Sequence, residues 1–198
     1  MPDSKSSSGR QRARNARPKI ERAALQLFVH EGVDGATTRD IADKAGVSEG
    51  ALYRHYKGKD ELALTLFMET HNRLGELIVK AAAVDGGLET KVRSIVTAYC
   101  ELADEDWLLF SFHLVSMHRF LPYDVERPDD PVSITENIIR SLMASGDIPD
   151  GDPALLAAMC LGVVLQAGQN KAYSRLPGPF TAHIDAFTRA IIAILKQK

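Results

Sequence analysis

The stretch from Thr37 to Asp60, TTRDIADKAGVSEGALYRHYKGKD, constrains this chain more than any other. Thr37 followed three residues later by Asp40 is a helix start: the hydroxyl can accept an orphan N–H, and the carboxylate falls in the electropositive first turn. Ile41, Ala42 and Ala45 give that short helix an apolar side, and Gly46 is placed to end it in the left-handed conformation. Ser48 supplies a fresh N-cap for a second short helix through Glu49, Gly50, Ala51, Leu52, Tyr53, Arg54 and His55. Two short helices joined by a tight turn containing Gly make a helix-turn-helix, the unit that lays its second helix in the major groove of DNA.

The face of the second helix opposite Leu52 carries Glu49, Gly50, Tyr53 and either Arg54 or His55. Glu49 suits a cytosine N4 donor, and Arg54 suits a guanine edge or a phosphate. Gly50 breaks a local rule, because a helix-interior Gly costs about 1 kcal/mol relative to Ala. It either lets the backbone approach the groove closely or is simply tolerated in a short helix.

Several blocks match a known family in order and spacing. Thr37-Thr38-Arg39-Asp40-Ile41-Ala42, Ala45-Gly46-Val47-Ser48, Leu52-Tyr53-Arg54-His55-Tyr56 and Lys59-Asp60-Glu61-Leu62 resemble the DNA-binding region of TetR-family transcriptional repressors, over roughly residues 18–67. The resemblance implies that Tyr53 and Lys59 contact DNA phosphates, Thr38 contacts the backbone at its helix start, and His55 contacts DNA from the recognition helix. Arg39 and Ser48 lie within the matching blocks and join this DNA-binding set. Tyr56 is expected to pack inside the small domain. Lys59 begins a helix, where a cation is unfavourable for the dipole, a cost consistent with a phosphate partner.

Charge distribution agrees with a DNA-reading head on a larger body. Residues 1–60 hold 12 Lys and Arg against 8 Asp and Glu, whereas the remainder holds 12 against 18. Residues 1–17 (MPDSKSSSGRQRARNAR) are too polar to form a core and read as a disordered arm; Arg10, Arg12, Arg14 and Arg17 either fold onto DNA or solubilise the chain. From Pro18, Ile20, Ala23, Ala24, Leu27 and Phe28 give an amphipathic packing helix that Gly32 ends. Its face is expected to form a three-helix core with Ile41, Ala45, Val47 and Leu52.

The remaining periodicity is helical throughout, and the fold class read from it is all-α: residues 18–64 a helix-turn-helix domain and residues 65–198 a larger helical body, which the resemblance implies serves effector binding and dimerisation. Helices are expected at about residues 59–83, 88–103, 105–120, 132–145, 152–172 and 180–196, with a proline-rich loop at 121–131. The helix from Asp152 to Ala172 is apolar round most of its circumference and should be buried on several sides. The resemblance implies that the last two helices form a homodimer interface, so that two recognition helices meet a palindromic operator with half-sites about 34–36 Å apart or a multiple of it.

It also implies a small-molecule effector. Tyr99, Trp107, Phe110, His113, Met117 and Asn137 are candidate lining residues of an apolar pocket with a few polar anchors, although an aromatic stripe serves a solid core equally well. His71, His113 and His118 lack metal-ligand spacing, and Cys100 and Cys160 stand apart without CxxC, so neither metal nor cofactor is expected. No phosphate loop, GxSxG or HExxH occurs, and Asp104-Glu105-Asp106 beside a helix start reads as capping, so no enzyme is expected. The longest apolar run, Ala154 to Leu165, is too short for a bilayer, and no secretory signal is evident; a cytoplasmic protein is expected. These readings converge on a dimeric, effector-released repressor, the alternative being an effector-independent DNA-binding protein with a filled core.

Overall fold

The computed structural model describes residues 5–121 and 129–197, with side chains from Ala16 onward. Among the described residues every regular element is helical, and the chain divides into two compact units, Met1–Met68 and Glu69–Lys198. The loop expected at 121–131 falls mostly outside the described residues.

The first unit opens with α1, Lys5–Gly35, which kinks at Gly32 (φ 74°, ψ 164°). It begins well before Pro18, so the backbone from Lys5 onward, read from sequence as a disordered arm, is helical. Gln11, Ala13, Ala16 and the arginines are good helix formers, and Pro18 removes one backbone bond without stopping the helix. Then come α2, Thr38–Ala45, α3, Glu49–Tyr53, and α4, Lys59–Ala82, whose first turns complete this unit. The α2 start is a complete capping box: Thr37 Oγ1 accepts the Asp40 N–H at 3.1 Å and Asp40 Oδ2 accepts the Thr37 N–H at 3.2 Å. Gly46 closes α2 at φ 66°, ψ 37°, a conformation costly for any residue with a Cβ.

Ile20, Ala24, Phe28, Ile41, Leu52, Leu62 and Phe67 form the buried centre of this unit. Ala45 and Val47 are only half-buried, and Ala42 takes the inward position expected of them, since it follows Ile41 on the face turned to α1. Tyr56 is buried as its family resemblance implies; its hydroxyl donates to Glu21 Oε1 at 2.5 Å and accepts from Arg17 Nε at 3.2 Å. Burial, then the Glu21 carboxylate, push the Tyr56 phenol well above its ordinary pKa, so it stays neutral. Arg17, placed by sequence in the arm, is therefore held against α1 and Tyr56.

The second unit contains the rest of α4 and α5, Leu88–Glu105, α6, Trp107–Phe120, α7, Pro131–Ala144, α8, Pro153–Ala172, a 3-10 turn at Phe180–His183, and α9, Ile184–Leu195. Three of these starts follow directly from sequence. Asp106, Asp130 and Asp152 accept backbone N–H groups of the first turns of α6, α7 and α8, and Pro131 and Pro153 occupy first-turn positions where no donor is missed. α5 packs on α6 and α9, and α8 packs on α6, α7 and α9. Gly168 allows the closest of these approaches: a Cβ there would stand 2.7 Å from Leu114 Cδ1.

Asp104 fastens the C-terminal segment. Its carboxylate accepts from Phe180 N at 2.7 Å, Thr181 N at 2.9 Å and Thr181 Oγ1 at 2.8 Å. Burial alone would raise its pKa, but these hydrogen bonds hold it below the ordinary value. Arg93 and Asp185 add an ion pair between α5 and α9 at 2.7 Å.

The expectation for α8 needs correction. Leu155 (58% exposed), Ala158, Met159, Gly162 and Gln166 form an exposed strip at helical spacing, so one side of α8 is uncovered in the single chain. By length and composition α8 also suffices to cross a membrane, because its regular structure extends beyond the apolar run counted in the sequence. Its opposite side carries Leu156, Cys160 and Val164 into the unit's core.

Candidate nucleic-acid interface and body cavity

α3 is only five residues long, and Ser48 Oγ accepts the Ala51 N–H at 3.3 Å at its start. The Ser48 hydroxyl is thus occupied as a cap. Glu49, Tyr53 (53% exposed) and Arg54 lie on the solvent side of α3, while Ala51 and Leu52 face inward. Thr38 Oγ1 links the two helix starts, at 3.4 Å from Glu49 Oε2 and 3.3 Å from the Tyr53 hydroxyl. Arg39 lies exposed beside this cluster, 3.9 Å from Asp43, a loose surface pair. The structure therefore joins Thr38, Glu49 and Tyr53 in one polar cluster, with Arg39 and Arg54 exposed at the positions next to Thr38 and Tyr53 in the chain.

Around Gly50 the chain leaves open space: a Cβ there would meet only Ser48 Oγ, at 3.9 Å. Nothing inside the protein requires Gly at this position, so any requirement comes from outside it.

Two sequence assignments change. The second helix was expected to run through His55, but α3 ends at Tyr53 with Arg54 as its C-cap. His55 is half-buried beyond the helix end, its Nε2 enclosed without a hydrogen-bond partner among the described residues. Lys59 also differs from a free phosphate contact. Its Nζ donates to the Asp34 carbonyl at 2.9 Å and the Ala36 carbonyl at 2.8 Å, clasping the α1–α2 connection to the start of α4. The cation that looked misplaced at a helix N-terminus is drawn back onto two carbonyl dipoles.

In the second unit, an 80 Å³ apolar cavity is enclosed by α4, α5, α7, α8 and α9, with Ile78, Val92, Val96, Tyr99, Ile139 and Val164 among its walls. Of the six residues expected to line a pocket, Tyr99 alone borders it. The Tyr99 hydroxyl is buried without a hydrogen-bond partner among the described residues, and burial holds it far above its ordinary pKa. Cys160, also on the wall, is a free thiol that burial pushes up to about 11, so it stays protonated and unreactive.

Trp107 and Phe110 belong instead to an aromatic core. Tyr99 and Phe110 meet edge-on at 5.2 Å between ring centres, and Trp107 lies 5.8 Å from Phe180 with Lys171 Nζ 4.9 Å above its ring. Met117 is half-buried away from the cavity. Asn137 is exposed on α7, beside a wider opening of 580 Å³ shared with Lys91, Ser141 and Asp147.

His113 is 3% exposed, with Nε2 3.2 Å from Nδ1 of His71, an arrangement that the sequence separation of 42 concealed. Burial, and then His71, lower the His113 pKa to about 3, so the ring is neutral near pH 7. Among the described residues no group of three or more His, Cys, Asp or Glu side chains assembles as a metal site.

Residues 20–66 match the family described as bacterial regulatory proteins, tetR family. Residues 20–66 are a TetR-family DNA-binding domain. The chain is 26% identical over 149 residues to the uncharacterized transcriptional regulator YvkB of Bacillus subtilis, covering 74% of this chain and 77% of that one. It is 27% identical over 133 residues to the transcriptional repressor AcnR of Corynebacterium efficiens, covering 66% and 65%. The fold is similar to that of FadR from Bacillus subtilis, solved in complex with stearoyl-CoA (TM-score 0.69, 18% identity, 89% and 98% covered).

TetR-family proteins are helix-turn-helix transcriptional regulators, typically repressors; they bind DNA and small-molecule effectors and typically form dimers. No enzymatic family is indicated among the relatives. Sequence reasoning located the exposed α2–α3 face of this TetR-family domain but missed the clasp at Lys59, the His71–His113 pair and nearly all of the cavity wall. Val92, Ile95, Val96 and Tyr99, at i, i+3, i+4 and i+7 on one face of α5, were the available signal for that wall.

Proposed function

We propose that the protein is a homodimeric repressor that binds a palindromic operator and is released by a small-molecule effector. The observation that carries the DNA-binding half is the exposed α2–α3 face, where Thr38, Glu49 and Tyr53 are held in one hydrogen-bonded cluster beside Arg39 and Arg54. Glu49 and Arg54 reach base edges, Tyr53, Thr38 and Arg39 the phosphates, and Gly50 admits the DNA to the α3 backbone. Ser48 and Lys59 serve the interface by holding α3 and the start of α4 in place. His55 is a supporting residue in this assignment. The apolar strip Leu155, Ala158, Met159 and Gly162 of α8 supports dimerisation through the last two helices, since an uncovered face of this kind asks for a partner.

The cavity beside Tyr99 is the effector site, and residues 18–64 and 65–198 are the reading and sensing parts. Effector binding favours a state whose recognition helices cannot engage both half-sites, and a coupling of 1–3 kcal/mol changes operator affinity by roughly 5–150-fold. FadR, of similar fold, is seen with stearoyl-CoA, which supports a body able to house an apolar ligand. A DNA reader of this kind acts in the cytoplasm.

Binding of the full chain to DNA from upstream of its own gene, against a random duplex at fixed salt, tests the reading. A preference of about a thousandfold, saturating at two chains per palindrome, is expected. Equal weak binding to both duplexes would refute specific autoregulation.

A further inference from the structure

The apolar cavity and the wider opening share three wall residues, Lys91, Ile138 and Leu142. The two are therefore adjacent: an inner chamber of 80 Å³ and a wider, more open vestibule of 580 Å³, with Lys91 on the walls of both. The inner walls are aliphatic apart from Tyr99, Thr135, Cys160 and Lys91 itself, and the Thr135 hydroxyl is occupied by the Pro131 carbonyl at 2.7 Å. The vestibule is different in kind, with Asn137, Ser141, Ser145 and Asp147 on its walls.

The available hydrogen-bond donors decide what the vestibule can hold. Lys91 forms no ion pair and no side-chain hydrogen bond among the described residues. Asn137 Oδ1 accepts from Arg140 at 2.9 Å, which fixes the amide so that its NH₂ remains to donate. Ser141 donates to the Asn137 carbonyl at 2.9 Å, and Arg140 is paired with Glu136 at 2.5 Å. Asp147 is the one acid on these walls, and its carboxylate already accepts from Ser145 Oγ at 2.7 Å. One unpaired ammonium and one amide donor thus face a space that holds a single, solvent-exposed carboxylate, one of whose oxygens accepts from Ser145.

We propose that the two spaces join into one site, which takes a small amphipathic anion: a compact apolar group of a few carbons in the inner chamber, joined to an acidic head held by Lys91 and Asn137. The proposal rests on the cavity being the effector site and adds the ligand's class and orientation. Size limits the tail. An apolar cavity of roughly 150 Å³ admits benzene, and the inner chamber is about half that, so a long chain would require the α7–α8 wall to open. Size does not limit the head. The ammonium at the junction holds the charge next to the apolar wall, where counter-charge counts most, and a cationic head would be repelled there.

Calorimetric titration of the full chain with hexanoate, 1-hexanol and hexylamine separates the elements of this assignment. Hexanoate is expected to bind at least tenfold more tightly than hexylamine. Lys91→Met should remove most of that advantage while leaving hexanol unchanged, and Asn137→Ala should weaken hexanoate two- to fivefold. Both positions are on the surface side of the site, and unchanged melting curves establish that the variants fold. Hexylamine binding as tightly as hexanoate, or an indifferent Lys91→Met, overturns the anionic head while leaving the effector cavity in place. Failure of all three probes to bind overturns the effector-site reading and the proposal together.

Discussion

Lys59→Ala separates a scaffold role from a phosphate contact. The ammonium donates two hydrogen bonds, at 2.9 and 2.8 Å, to the carbonyls of Asp34 and Ala36. Charged hydrogen bonds contribute about 1.5–3 kcal/mol when desolvated. Here they share one partly exposed ammonium, and water can replace it at the exposed Asp34 carbonyl, so about 1–2 kcal/mol for the pair is reasonable. Removing a cation from the first turn of α4 returns roughly 0.3–1 kcal/mol through the helix dipole. The expected net loss is about 1 kcal/mol, or a melting shift of roughly 4–8 °C if the small unit unfolds by itself.

A phosphate contact would behave otherwise, flattening the slope of log affinity against log salt by about 0.9. Thermal melting and operator titration at four salt concentrations distinguish the two. Lower melting with an unchanged salt slope is expected for the clasp. Unchanged melting with a flattened slope would refute it and restore Lys59 to the DNA interface.

Gly50→Ala should raise stability by about 0.5–1 kcal/mol, because the added methyl meets nothing closer than 3.9 Å, yet weaken operator binding at least tenfold; unchanged affinity would remove the close approach of α3 to DNA. Tyr99→Phe removes a buried hydroxyl that lacks a partner and should stabilise the unliganded protein by about 1 kcal/mol in urea denaturation; a loss of stability would mean that the hydroxyl is satisfied. Stability should fall as pH drops from 6.5 towards 3, by up to about 1.4 kcal/mol per pH unit from His113 alone, since the unfolded ring takes up a proton that the folded ring refuses. Above pH 6.5 the group contributes no slope. His113→Gln should flatten this dependence, and an unaltered pH profile would show that His113 does not carry it.

What the sequence revealed depended on how far apart the interacting groups lie along the chain. The capping box of Thr37 and Asp40, the Gly46 terminus, and the Asp152-Pro153 start are local devices spanning one to three residues, and each is visible as a residue pattern. The clasp made by Lys59 was not legible because its acceptors are backbone carbonyls 23 and 25 residues away, which no side-chain pattern announces. Tyr99, Trp107 and Phe110 illustrate another limit: an aromatic residue of α5 or α6 has the same helical spacing whether it borders a cavity or packs on Phe180. Asp104 was legible as a capping residue, but the turn it caps lies 76 residues downstream.

The packing of α5 against α9 also orders events during synthesis. α5 is complete at Glu105, whereas the turn fastened by Asp104 starts at Phe180 and α9 ends at Leu195, so Val92 and Val96 lack part of their cover until α9 has been made. At about 5–20 residues per second, the larger unit waits roughly 6–25 s after the smaller one has been fully translated. For that interval a nascent chain presents a finished DNA-reading head attached to an open apolar body. Chaperone engagement should therefore concentrate on segments between α5 and α8, and a stop codon just before Phe180 should be far more damaging to solubility than its modest truncation of the chain suggests.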